Sequence, residues 1–167
     1  DVDSVIQEQK AFGACRDVTL EYPVAENEGE EDNTYLSYNM VVGNAADSQM
    51  AMAFEVLDYA LLSAPGAPLK QALLDVKAGK DVYGSYDDGI LQPYFTVIAK
   101  GSNPDRKEEF VSVIRQVLGD IVKNGIDRKA VEAGINYFEF RYREADFSSY
   151  PKGLMYSLDI LGDWLYE

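Results

Sequence analysis

Histidine is absent from the 167 residues, and cysteine occurs once, at Cys15. These two absences remove most of the side-chain chemistry on which hydrolases rely. No serine or cysteine nucleophile can be activated by imidazole, and no zinc site can be built from histidine or from a cysteine cluster. A single thiol makes no internal disulfide, which suits a reducing compartment, and a cytoplasmic location is expected. No run approaches the roughly 20 apolar residues of a membrane-spanning helix. Asp1-Val2-Asp3 lacks the basic start of a secretory signal. Positive charge is scarce: 15 basic against 29 acidic residues give a formal net charge of −14. Such a surface repels phosphate backbones and anionic lipid, so neither nucleic acid nor a membrane is expected as a partner.

What is present reads as one domain of ordinary size. In "DVTLEYPV", Val18, Leu20, Tyr22 and Val24 alternate with polar residues or Pro23, the period of a half-buried strand at an edge. "TYLSYNMVVG" alternates again through Leu36, Tyr38, Met40 and Val42. The two are expected to form a hairpin around the charged loop "AENEGEEDN". Asp47 or Ser48 can cap a helix with Met52, Val56, Tyr59 and Leu62 on one stripe, and a short helix follows from Pro68 to Lys77. A second hairpin is expected between Val82–Tyr86 and Ile90–Ala99, turning at Asp88-Gly89.

Asn103-Pro104 reads as a helix cap followed by proline at the first position. That helix carries Phe110, Ile114, Val117, Leu118 and Ile121 and stops at Asn124-Gly125. Asp127 caps the next, with Val131, Ile135, Phe138 and Tyr142 on its stripe; a closing helix carries Leu154, Leu158, Leu161 and Leu165. Two strands, two helices, two strands and three helices predict an α+β fold with an antiparallel or mixed sheet and helices on one face. Both hairpins should share that sheet, with the 110–121 and 131–142 stripes packed on it. No linker or repeat divides residues 1–167.

Candidate sites are few. Glu26, Glu28, Glu30, Glu31 and Asp32 could draw a hard cation, but they lack the Asp-x-Asp-x-Asp-Gly spacing that folds ligands around one ion, and they read as a solvated loop. Asp87-Asp88 suits turn geometry better than acid–base work. Ser149-x-x-Lys152 matches the pairing of a lysine-activated serine, without the Ser-Asp-Asn and Lys-Thr-Gly companions, and fits a helix cap. "GNAADSQMAM" has too few glycines for a phosphate loop. Cys15 beside Arg16 reads as an incidental thiol, and Arg141 and Arg143, with Glu139 and Glu144 nearby, as a salt-bridged solvent face. No catalytic, cofactor-binding or metal-ligating residue is assigned.

The segment "FEFRYREADFSSYPKGLMYSLDILGDWLYE" resembles a stretch of insulinase-like (pitrilysin-type) zinc metallopeptidases of the presequence-protease branch. There a helix Glu-Phe-x-x-Arg-Glu runs into a small-residue break, then Tyr/Phe-Pro-Lys/Arg-Gly-Leu, then a leucine-rich helix ending Trp-Leu/Ile-Tyr. Glu139, Phe140, Arg143, Glu144, Tyr150, Pro151, Lys152, Gly153, Leu154, Trp164, Leu165 and Tyr166 occupy those positions. "APGAPLKQALLDVKAGKDV", "LQPYFTVIAKG" and "QKAFGACRDVTLEYPV" are similar to the middle and the start of the same domain, so the likeness covers nearly the whole chain.

The resemblance implies the second of four related domains in a peptidase whose two halves close around unfolded peptides, with the other domains of the parent as partners. It places the zinc, held by His-x-x-Glu-His and a downstream glutamate, in the preceding domain. No catalytic or metal residue therefore transfers here, and the family's substrate-binding Arg/Tyr pair is not carried onto Arg143 or Tyr142. The closing helix, which stops at Glu167 without a cap, is expected to run on into the parent. Two alternatives stand beside this non-catalytic scaffold: a catalytically silent homologous subunit for binding or assembly, and an acidic ion- or protein-binding module.

Overall fold

The computed structural model describes residues 5–25, 29–144 and 149–165. Three strands, β1 (Thr34–Val41), β2 (Asp81–Asp87) and β3 (Tyr94–Ser102), form an antiparallel sheet in the order β1-β3-β2. The register sorts the side chains by face. Leu36 and Val82 flank Ala99, Tyr38 and Gly84 flank Val97, and Met40 and Tyr86 flank Phe95. This face carries the apolar alternation of all three strands and meets the helices. The opposite face carries Tyr35, Ser37 and Asn39 from β1, Tyr83 and Ser85 from β2, and Thr96 and Lys100 from β3, with Thr96 Oγ1 donating to Asn39 Oδ1 at 2.6 Å.

Helix α1 (Ser48–Asp58) starts where Asp47 Oδ1 accepts the Met50 amide at 3.0 Å, the expected cap. It ends in a π-helical turn, Tyr59–Ser63, closed by the Ala64 amide donating to the Tyr59 carbonyl. Helix α2 (Pro68–Asp75) opens on its proline. A 3₁₀ turn, Pro104–Arg106, leads into α3 (Lys107–Asn124). Gly125 ends α3 at φ 86°, a left-handed conformation that suits glycine. Helices α4 (Arg128–Glu144) and α5 (Lys152–Trp164) follow. Leu61 and Leu62 from the π turn, Leu69 and Leu73 from α2, and Phe110 and Ile114 from α3 close over the sheet as one core.

Several expectations are corrected. Residues 18–24 form no strand, and Val18 and Leu20 are 71% and 84% exposed. The first hairpin is therefore absent and the sheet has three strands. Alternation makes a segment competent for a strand, but pairing also needs a run of amides, and Pro23 supplies none. Side chains tie down residues 9–22 instead. Gln92 exchanges two hydrogen bonds with the Gln9 backbone (2.6 and 3.1 Å), Asp17 pairs with Lys107, and the Tyr22 hydroxyl donates to the Asn33 carbonyl.

The second hairpin forms, with its strands ending at Asp87 and resuming at Tyr94, so Ile90 lies in a connection longer than the Asp-Gly turn. Asn103 stands at the cap position with Pro104 after it, as expected, but its side chain makes no capping bond and is bound to Asp32 instead. Helix α3 packs on the core as its stripe predicts, whereas α4 lies against α1 and the π turn rather than the sheet. A Cβ on Gly134 would sit 3.2 Å from Val56 Cγ1, and Tyr137 stacks on Tyr59 at 5.0 Å. The small residue sets how closely the two helices approach.

Candidate functional site

The titratable groups most disturbed by the fold gather where α1 meets α4 and the β2–β3 connection. Glu55 is part-buried on α1, and the Tyr142 hydroxyl of α4 donates to its Oε2 at 3.3 Å. Burial first, then the Asp88 charge, raises the Glu55 carboxyl above its usual range. Burial and the Glu55 carboxylate push the Tyr142 phenol up to about 12. Tyr142 thus remains a hydrogen-bond donor at every physiological pH. Arg141 and Asp159 act on the same pair from α4 and α5.

One turn further, Asp58 Oδ1 is buried without a hydrogen-bond partner. Burial raises its pKa, opposed by a hydrogen bond from Ser63. This arrangement offers hydrogen bonds and a stored desolvation cost. Among the described residues no group of three metal-ligating side chains could hold an ion.

Asp58 carries a prediction. Because folding raises its pKa, the protonated form is favoured in the native state. Its destabilising effect is absent below the unfolded value near 3.8 and develops as pH rises through the folded value. Asp58→Asn removes the charge that burial disfavours, so it should stabilise the chain at pH 7 by about 1 kcal/mol, on the scale of one pKa unit, and leave stability unchanged at pH 3. Urea titrations at both values check this; equal effects at both would refute it.

The residues nominated from sequence are scattered. Glu26 and Glu28 lie outside the described residues. Glu30 and Glu31 are exposed, and Asp32 turns inward at φ 58°. Its carboxylate accepts from Asn103 Nδ2 at 2.8 Å and pairs with Lys80 at 3.3 Å, and both hold its pKa down. Asp32 pins this loop to Asn103 and Lys80. Asp87 accepts from the Gly89 amide and the Tyr94 hydroxyl, a turn role. Lys152 donates to the Glu144 carbonyl at 3.0 Å.

Cys15 is exposed, and the Arg16 guanidinium lies over the Phe12 ring, 3.9 Å from its centroid. Arg143 pairs with Glu139 at 2.6 Å, as expected of a solvent face, while Arg141 acts on the Glu55–Tyr142 pair. Near the start of β1, Tyr22, Tyr35, Asp32, Lys80 and Lys100 border an open cleft of about 530 Å³. Sequence reasoning missed Glu55 and Asp58. The one signal was two carboxylates three residues apart on a helix otherwise rich in apolar residues.

A family model described as "Peptidase M16 inactive domain" matches residues 7–138, most of the chain. The chain belongs to this family. An M16 inactive domain without histidine agrees with the resemblance drawn from the closing segment. Protein HypA from Clostridium perfringens is 42% identical over 167 residues, covering 100% of this chain and 17% of that protein. Presequence protease 1, chloroplastic/mitochondrial, from Arabidopsis thaliana is 30% identical over 166 residues, covering 98% of this chain and 15% of the relative. The mitochondrial presequence protease of Xenopus laevis is 25% identical over 141 residues, covering 82% and 13%.

This M16 domain thus spans about one-sixth of the length of the curated relatives it matches. A crystal structure of the inactive peptidase domain of a candidate zinc protease from Bordetella parapertussis superposes with a TM-score of 0.64 at 15% identity, over 78% of this chain and 71% of that one. That match shows the shared fold. Zinc does not fit the described residues of this M16 domain: the sequence has no histidine, its one cysteine is exposed, and among the described residues no three ligating side chains gather.

Proposed function

We propose that residues 1–167 are one non-catalytic domain of a larger zinc-dependent metalloendopeptidase of the insulinase family, serving as scaffold and as part of the wall of a peptide-holding chamber. The observation that carries this reading is the identity, 30% over 98% of the chain, to a protein named as a presequence protease. The parent's zinc then belongs to another domain, and the partners are the parent's other domains and unfolded peptide substrates. The single cysteine favours a cytoplasmic location, while the two presequence proteases are named for organelles.

The distribution of layers supports a wall. Helices cover one face of the sheet, and the other presents hydroxyls, amides and tyrosine rings. A net charge of −14 favours positively charged peptides through long-range attraction.

The test uses the isolated chain and the parent polypeptide on one fluorogenic peptide. The isolated chain should give no hydrolysis with added zinc, and the parent should hydrolyse the peptide and stop when a chelator is added. Chelator-sensitive cleavage by pure isolated chain, or an inert parent, would overturn the proposal.

A further inference from the structure

Helix α5 is joined to α4 by few described contacts: Lys152 donates to the Glu144 carbonyl, and the Tyr156 hydroxyl to the Tyr142 carbonyl at 3.1 Å. Its apolar residues at helical spacing, Leu154, Leu158, Leu161 and Leu165, are 49–67% exposed, and Trp164 and Phe140 are 66% and 63% exposed. A helix with that stripe is normally buried along it. Apolar patches on monomers rarely exceed a few hundred Å² unless they are interaction sites. Four leucines and Trp164 along one short helix, each about half or more open, reach that scale.

We infer that the α4–α5 face is the seat of another domain of the same polypeptide, one that presents an apolar surface. This rests on the reading of the chain as part of a larger peptidase. Two observations favour that occupant. In HypA, which matches this chain from end to end at 42% identity, the match occupies 17% of the protein, so 83% (100 − 17) of that polypeptide lies outside it. A second copy is disfavoured by charge, since two chains of −14 repel each other. A domain in the same polypeptide is held at high effective concentration and needs little intrinsic affinity to dock.

The test is hydrogen exchange by mass spectrometry on the full-length parent, wild type against Leu158→Lys/Leu161→Lys, with Leu158→Ala as a variant that keeps the helix. In the wild type, residues 154–165 should be protected. The double variant should exchange there about tenfold faster or more, and at least one segment outside residues 1–167 should lose protection with it. Leu158→Ala should give a smaller change of the same pattern, and β3 amides should stay protected in all three. Free exchange of 154–165 in the wild type, or changes confined to residues 1–167, overturns the inference. So does a concentration-dependent dimer of the parent that the double variant dissolves, since it puts a second copy on this face. Peptidase activity is measured alongside: an inert parent with the coupled loss of protection removes the functional reading and keeps the interface, and an active parent without it does the reverse.

Discussion

Gly84→Ala is expected to destabilise the chain by about 3 kcal/mol, the upper part of the range for forcing atoms into a packed interior. A Cβ at this position would overlap Leu62 Cδ1 and lie 2.6 Å from the Thr96 carbonyl oxygen and 3.2 Å from Asp58 Oδ1. None of the three can retreat cheaply. Leu62 is 1% exposed, the Thr96 carbonyl belongs to the central strand, and Asp58 is held by its helix. At Gly84 the π turn approaches the sheet too closely for a side chain, and the missing Cβ makes that approach possible. Gly84→Val should be worse still. The fall in the urea midpoint measures the effect, and a loss below about 1 kcal/mol would show that helix and sheet slide apart more easily than the packing implies.

Phe110→Ala should cost about 3–5 kcal/mol, the range for removing a buried aromatic and leaving a cavity. Phe110 is 1% exposed in the first turn of α3, where the core cluster is bounded by sheet, α2 and α3 together. For a chain of this length that corresponds to a fall in melting temperature of about 10 °C. A comparison sharpens the test. Ile135→Ala on α4, at a position 50% exposed, should cost far less, although the sequence places both residues on equivalent stripes. Similar losses at the two positions would mean that α4 is as deeply seated as α3.

That contrast shows what the sequence made legible. Local, pairwise features read through: the Asp47 cap, Pro68 at a helix start, the glycine after Asn124, the alternation of β1, and the pairing of β2 with β3. Each depends on residues within one turn, one strand or one hairpin, and each has one physical solution. Partnership between more distant elements did not read through. Residues 18–24 have as clear an alternation as β1, yet nothing local says whether an edge will accept them. The stripes of α3 and α4 look alike, and only the three-dimensional arrangement sends one to the sheet and the other to α1. The absence of histidine excludes imidazole-activated nucleophiles and histidine-held zinc within these 167 residues on composition alone. The Glu55–Tyr142 pair is the opposite case, since its members stand 87 residues apart and only the packing of α4 on α1 brings them together.

The π turn after Asp58 also sets one helix in two phases. A regular α-helix advances 100° per residue and keeps one stripe; a turn holding one extra residue rotates everything after it relative to everything before. Val56 and Tyr59 therefore serve α4, while Leu61 and Leu62, two and three positions on, serve the sheet. The extra residue works as a phase shifter between two packing layers. Deleting one residue between Tyr59 and Ser63 would let the helix keep only one of those allegiances, so the length of this short stretch matters to the packing as much as its composition.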